Sequence, residues 1–419
     1  MNNNYDLAFK DKCVWGIVLL FCITNNFYNF KPLVISDAYD KLVNLFVNSC
    51  FFIFIIYSYY KRHFCPISKC VVLILTMFAI SILYPSIFWN QSIYYTFRSM
   101  GALFPLCFFF VFYFYRVNTR QMITAIIILC MIYCLFELIA LYTYPNNIIG
   151  YTDLLKDTDL VQRDIDNRGV IRFNMPGADF VVFVIFFSLN RFRYDKKNYI
   201  LLLLPLFFIL LLRGTRTPLF VVLIMTLVIL FYRKDRKWII SLLCLIIFFI
   251  SIHFNNILLQ SKSDNIFVKY IQLTSKQMST NDMDIRLVMT KYLFTEFNSN
   301  PLQYIFGNGI NSVGEYGKRI KYIADMWGYC ITDSLPANLF LYFGFIGIIL
   351  YFYLFIVVIR VKVRKDVLFA KWMAIYMFLI GSTNVALLSI SPMIFAMCLY
   401  VISIGRIKSN KLKAIRYYG

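Results

Sequence analysis

Three stretches of this 419-residue chain contain no Asp, Glu, Lys or Arg: Cys70 to Phe97, Ser334 to Ile359 and Trp372 to Gly405. A bilayer span takes about 20 predominantly apolar residues, so each stretch reads as one membrane helix or a pair of them. Composition agrees: 60% of residues are hydrophobic and 15% are charged, where soluble domains average about 25% charged.

The apolar runs predict an all-α, polytopic integral membrane protein of about twelve transmembrane helices. They lie near 13–29, 42–60, 69–86, 99–115, 121–144, 177–190, 198–212, 217–232, 238–254, 335–359, 368–387 and 391–405. The chain thus divides into a nine-helix part (1–254), a large loop (255–334), and three helices with a basic tail (335–419). The last two helices rest on a break at Ser389-Ile-Ser-Pro392; one long helix is the alternative. The first run, Cys13 to Tyr28, lacks a small-residue cleavage signature and reads as a retained helix.

The net charge of +21 does not point to nucleic acid. The basic residues form short clusters between apolar runs, where they act as topology signals. Most fall on one set of segments: the N-terminus, the loops near 61–69, 116–120, 191–197, 233–237 and 360–371, and the C-terminus. That side carries only Asp6, Asp11, Asp195, Asp235 and Asp366 as acids. The positive-inside rule makes it cytoplasmic, with both termini inside. The 11 cysteines lie almost entirely in apolar runs or short basic loops, and only His63 and His253 occur. No metal-ligand spacing is present, and the large loop holds Cys330 alone, so no disulfide framework braces it.

Two segments on the opposite, periplasmic side are too long for connectors, which usually run about 4–6 residues. They are 145–176 and 255–334. Within the second, Ile285, Val288, Met289, Tyr292 and Leu293 recur at helical spacing, which predicts an amphipathic helix on the membrane surface or over a cavity mouth. The loop is therefore partly helical.

Arginines on that side stand out. Arg213-Gly-Thr-Arg216-Thr-Pro218 opens the eighth helix, with Thr217 able to cap and Pro218 suited to the first helical position. Free N–H groups, the helix dipole and two guanidinium groups together suit phosphate or pyrophosphate. The plainer reading is snorkelling onto lipid heads. Arg168 and Arg172 precede the sixth helix, where they either bind anions or form a solvated loop balanced by Asp164 and Asp166. Arg286 lies on the loop helix, where an exposed helix charge is the alternative; Arg98 reads as snorkelling. Asp333, ahead of the tenth helix in Thr332-Asp-Ser-Leu-Pro-Ala-Asn338, is placed to act as a general base or simply to cap. Glu137 lies inside a helix, where an acid is costly unless paired. The pairs Asp157/Asp159, Asp164/Asp166 and Asp282/Asp284 could hold a divalent ion, but so short a pattern recurs by chance in acid-rich loops.

In order, then, come an outer arginine loop, a helix opening with Arg-Gly-Thr-Arg and a large late loop. That loop contains Asp284-Ile-Arg286, continues as Asn300-Pro-Leu-Gln-Tyr-Ile-Phe-Gly-Asn-Gly-Ile-Asn311, and ends with Asp333-Ser and Asn338-Leu-Phe-Leu-Tyr-Phe-Gly-Phe-Ile-Gly-Ile349. This resembles the Wzy-type O-antigen polymerases and, more distantly, the O-antigen ligases. In motif the likeness covers about 165–220 and 284–350. It implies a membrane glycosyltransferase of the GT-C kind. It also implies that Arg172, Arg213 or Arg216, and Arg286 bind pyrophosphates of undecaprenyl-linked oligosaccharides, without metal or other cofactor. A chain-length-determining co-polymerase is the partner it implies, alongside membrane lipids. Ligases commonly carry a histidine near the end of the large loop; Asp333 stands there in this chain, which favours polymerase over ligase. The rivals are a flippase for lipid-linked oligosaccharide, a ligase, and a structural or acyl-transfer membrane protein.

Overall fold

The computed structural model describes residues 12–24, 65–99, 104–143, 177–191, 216–232, 285–310, 314–327, 335–381 and 392–407, with a few isolated positions besides. Among them the secondary structure is helical, with no strand. In chain order the helices are α1 (Lys12–Thr24), α2 (Pro66–Ile80), α3 (Tyr84–Trp89), α4 (Ile93–Ser99), α5 (Phe108–Phe114), α6 (Thr119–Thr143), α7 (Ala178–Arg191) and α8 (Arg216–Tyr232). They continue with α9 (Ile285–Thr295), α10 (Pro301–Phe306), α11 (Gly314–Trp327), α12 (Leu335–Arg360), α13 (Leu368–Ile380) and α14 (Pro392–Ile404). The chain forms two compact units: Met1–Phe21 with Ile35–Ile127 and Asp284–Gly419, and Cys22–Val34 with Ile128–Met283.

Three helical stretches among the described residues are long and apolar enough to cross a membrane: Pro66–Trp89, Thr119–Ala140 and Leu335–Arg360. On α12, Phe345, Ile349, Phe352, Tyr353, Ile356 and Ile359 stay exposed along one stripe. A water-soluble surface does not carry so large an apolar face, whereas lipid tails cover it at no cost.

Proline shapes the first of these stretches. Pro66 occupies the opening position of α2, where its missing N–H is harmless. Pro85 has the opposite effect: its ring opposes a carbonyl four residues back, so α2 ends at Ile80 and α3 starts afresh. The single helix expected at 69–86 is therefore two, and within the one expected at 99–115 the described residues form a 3₁₀ turn at Phe104–Cys107 followed by α5, while α4 ends at Ser99.

In the first unit α12 packs on α2, α10 and α13, and α14 packs on α13 and α5. The break in 372–405 is real, because α13 and α14 lie side by side. They run antiparallel: Val363 and Arg406 form a β-bridge, Arg364 N–H donates to Gly405 O at 2.9 Å, and Ile407 N–H donates to Lys362 O at 2.9 Å. Lys371 donates to the terminal carbonyls Ile359 O (2.6 Å) and Val361 O (3.0 Å), a cation completing the end of α12. Tyr400 bonds Val117 O at 2.9 Å. Residues near 117, 361–367 and 405–407 thus share one end of this unit.

The opposite end gathers other segments. Leu335 N–H, an orphan donor at the start of α12, bonds Gly381 O at 3.0 Å. Trp89 and Gln91 meet Asn308 and Ile310 there.

In the second unit, α7 is buried along almost its whole length and packs on α8. Asp179 is buried in its first turn, where the helix dipole favours a carboxylate. Glu137, in α6, is also buried.

Candidate functional site

The described part of the large loop, 285–310 and 314–327, is folded and docked on α12. Its centre is the run Asn300–Ile310. Asn300 caps α10: its side chain accepts from Leu302 N–H at 2.9 Å, and Gln303 Oε1 accepts from Asn300 N–H at 3.0 Å. With Pro301 at the first position this is a complete capping box, which explains how so short a helix holds its place. Gly307 ends it with a φ of 79°.

The loop then closes a gap in the spanning helix. Gly344 breaks the helical path of α12 with a φ of 60°. A break leaves carbonyls without their usual partners, which is costly at membrane depth. Two of them are taken up by the loop: Asn308 N–H donates to Leu341 O at 2.7 Å, and Gly309 N–H to Tyr342 O at 2.9 Å. Kink and loop therefore stabilise each other.

Asn308, fully buried, is the hub. Its Oδ1 accepts from Trp89 Nε1 at 2.9 Å, and its Nδ2 donates to Asn298 Oδ1 at 2.8 Å and Leu341 O at 3.3 Å. Tyr316 donates to Gly309 O at 2.9 Å; burial, and then the neighbouring Tyr342, hold its phenol well above its ordinary pKa, so it keeps its proton. Around this frame Leu293, Phe297, Tyr316, Ile323, Ala337, Phe340 and Leu341 form one apolar cluster. Phe294 stacks on Phe340 at 3.9 Å, pinning α9 to α12. Asn308→Leu removes three hydrogen bonds to buried partners, each worth about 1 kcal/mol. A clear drop in thermal midpoint, with the loop becoming cleavable by protease, is the expected result; an unchanged midpoint would show the loop is held otherwise.

The predicted residues fall as follows. Arg286 is the second residue of α9, and about 12 Å of helix separates it from the Phe294 anchor. Of the face predicted for this helix, Leu293 is buried and Tyr292 half-buried, while Val288 is exposed. The helix packs on α11 and α12 rather than lying free on a surface. Arg216 begins α8 in the second unit, so Pro218 sits within the first turn rather than opening it. Arg168, Arg172, Arg213, Asp333 and the three Asp-x-Asp pairs lie outside the described residues. Asp333 precedes the first residue of α12 by two positions.

Sequence reasoning missed Asn298, Arg319 and Trp89, and saw Asn308 and Asn338 only as parts of motifs. Asn338 is completely buried in α12, and neither amide atom has a partner among the described residues. An unsatisfied buried amide costs about 1–3 kcal/mol. Asn338→Leu, close in shape, is expected to raise the thermal midpoint; a lower midpoint would show that packing at this position requires the amide.

Apolar helices of spanning length, with a folded loop holding an arginine-bearing helix against one of them, define a helical membrane protein with its candidate chemistry at a loop–helix junction. A family model described as O-antigen ligase matches residues 200–352, which include Arg213, Arg216, Arg286 and Asp333. The match supports a place in the O-antigen ligase and polymerase family, whose members are membrane glycosyltransferase-like enzymes, and a role in O-antigen and lipopolysaccharide assembly. No curated protein and no solved structure matches the chain.

Proposed function

We propose that this protein is an O-antigen polymerase. It transfers a growing glycan from undecaprenyl pyrophosphate to a lipid-linked repeat unit at the periplasmic face of the inner membrane. The observation that carries the reading is the docked loop: it fixes the helix beginning at Ile285-Arg286 against α12, whose start follows Asp333 by two residues.

In the proposed reaction, a hydroxyl of the incoming repeat unit attacks the anomeric carbon of the growing chain. The bond from that carbon to the pyrophosphate oxygen breaks, and undecaprenyl pyrophosphate leaves with the bonding electrons. Asp333 takes the hydroxyl proton. Arg168, Arg172, Arg213, Arg216 and Arg286 are the residues that stabilise the charge developing on the leaving group in this reading. The donor bond is already activated, so neither nucleotide nor metal is required. The basic end of the first unit, near 117, 361–367 and 405–407, faces the cytoplasm, and a chain-length-determining co-polymerase docks on the assembled enzyme.

A ligase shares this architecture but delivers glycan to lipid A core, and Asp333 in place of a histidine favours polymerase. A flippase would carry its cations along a central path, whereas Arg216 and Arg286 lie at helix starts. The direct test is the purified protein in vesicles with undecaprenyl-pyrophosphate-linked repeat units and a chelator. Polymer is the expected product. Glycan appearing only on added lipid A core would assign the ligase, and movement of intact units between leaflets the flippase.

A further inference from the structure

Arg319 lies in α11 and is half-buried. Its guanidinium sits 4.9 Å from the ring centre of Phe297 and 5.5 Å from that of Trp89. Among the described residues no carboxylate pairs with it. Two rings hold the head group by cation–π attraction, which fixes its position while leaving its N–H donors unused.

A second unused donor follows Phe297, one of the two rings beneath Arg319. Asn298 follows Phe297 and is 8% exposed; its Oδ1 accepts from Asn308, and its Nδ2 has no partner among the described residues. The orientation of this amide follows from the network. The Trp89 indole can only donate, so Asn308 must present Oδ1 to it. The Leu341 carbonyl can only accept, so Asn308 Nδ2 lies on that side, and its remaining hydrogen goes to Asn298 Oδ1. Asn298 Nδ2 must then point away from the hub. Trp89 joins the two groups, since Asn308 holds its nitrogen and Arg319 covers its ring.

A cation without a counter-charge and a buried donor without an acceptor are both completed by one kind of ligand, an oxyanion. We propose that Arg319 and Asn298 form a second phosphate site, which holds the pyrophosphate of the acceptor lipid. This assignment rests on the polymerase reading, in which two lipid pyrophosphates are bound together and only the donor's departs. Its site would then retain a phosphate without activating it, as a single fixed guanidinium and a neutral amide can do.

The test uses the full chain in phosphatidylcholine nanodiscs, with undecaprenyl pyrophosphate as the probe and with or without phosphatidylglycerol. Arg319→Gln is expected to weaken binding at the weaker of two sites by about 10-fold or more, as loss of charge-assisted bonds implies. Arg319→Lys, which keeps the charge but not the planar fork, is expected to weaken it less. In polymerisation, Arg319→Gln raises the KM for the acceptor unit and leaves kcat near wild type, the pattern of lost uniform binding. Wild-type affinity in folded Arg319→Gln and Arg319→Lys would overturn the site. An effect of Arg319→Gln seen only with phosphatidylglycerol would make the oxyanion a membrane headgroup and overturn the acceptor assignment. Weakened binding in a protein whose wild type makes no polymer would leave the phosphate site standing and remove the polymerase reading.

Discussion

Cells carrying Arg286→Ala are expected to lose long-chain glycan while retaining normal amounts of the protein. The leaving pyrophosphate gathers negative charge as the glycosidic bond breaks, and a guanidinium bound to it stabilises that charge more than it stabilises the bound substrate. Loss of one such donor typically slows the chemical step by about 10²–10³-fold. The same holds for Arg172, Arg213 and Arg216. Lysine at these positions restores the charge without the two-pronged geometry, so a partial rescue with short chains is expected. Arg286 is well suited to show the effect cleanly, because α9 is anchored by Leu293, Phe294 and Phe297, six or more residues further along. Wild-type chain lengths from all four alanine variants would show that these arginines do not carry the reaction.

Gly344→Ala and Gly307→Ala are expected to be the most damaging changes outside the proposed chemistry. Both glycines have positive φ, 60° and 79°, where a side chain costs about 1–3 kcal/mol. Steric overlap adds to this. A Cβ on Gly344 would run into the backbone of Ile305 and Gly307, and one on Gly307 into that of Tyr342 and Phe343. Backbone cannot rotate aside as a side chain end can. Either substitution must part the loop from the kink, so Leu341 and Tyr342 lose the N–H groups of Asn308 and Gly309. The expected readout is a fall in thermal midpoint larger than that of Asn308→Leu, with long-chain glycan lost. Normal stability in both variants would mean that the loop is not seated on α12 as described.

How much of this was legible in the sequence depends on what fixes each part. The long helices follow from uncharged runs alone: 335–359 and 121–144 were expected, and Leu335–Arg360 and Thr119–Thr143 are found. The short helices α3, α4 and α10 were hidden, because proline positions and caps set them rather than apolar length. Asn300-Pro-Leu-Gln303 did carry the signature of a capping box, readable from the spacing of Asn, Pro and Gln. The kink at Gly344 was not legible, since glycine inside an apolar helix is commonly tolerated; the partner loop is what makes it a break. Nor could the Trp89–Asn308 bond be anticipated, as it joins residues 219 positions apart. Arg319 escaped notice for the opposite reason. In sequence it stands among Lys318 and Lys321 as an ordinary exposed charge, and only the rings of Trp89 and Phe297 mark it out. Arg286 and Arg216 were identified because both stand at the openings of helices that the sequence pattern reveals.

The measurement that bears most directly on the account is the glycan ladder of a strain lacking this gene, compared with the same strain after restoration. The account predicts that the deletion strain makes lipid A core bearing a single repeat unit, and that restoration returns the full ladder. Bare core with polymerised lipid-linked chains accumulating behind it would contradict polymerase and assign the ligase. Repeat units trapped on the cytoplasmic face would contradict both and assign transport.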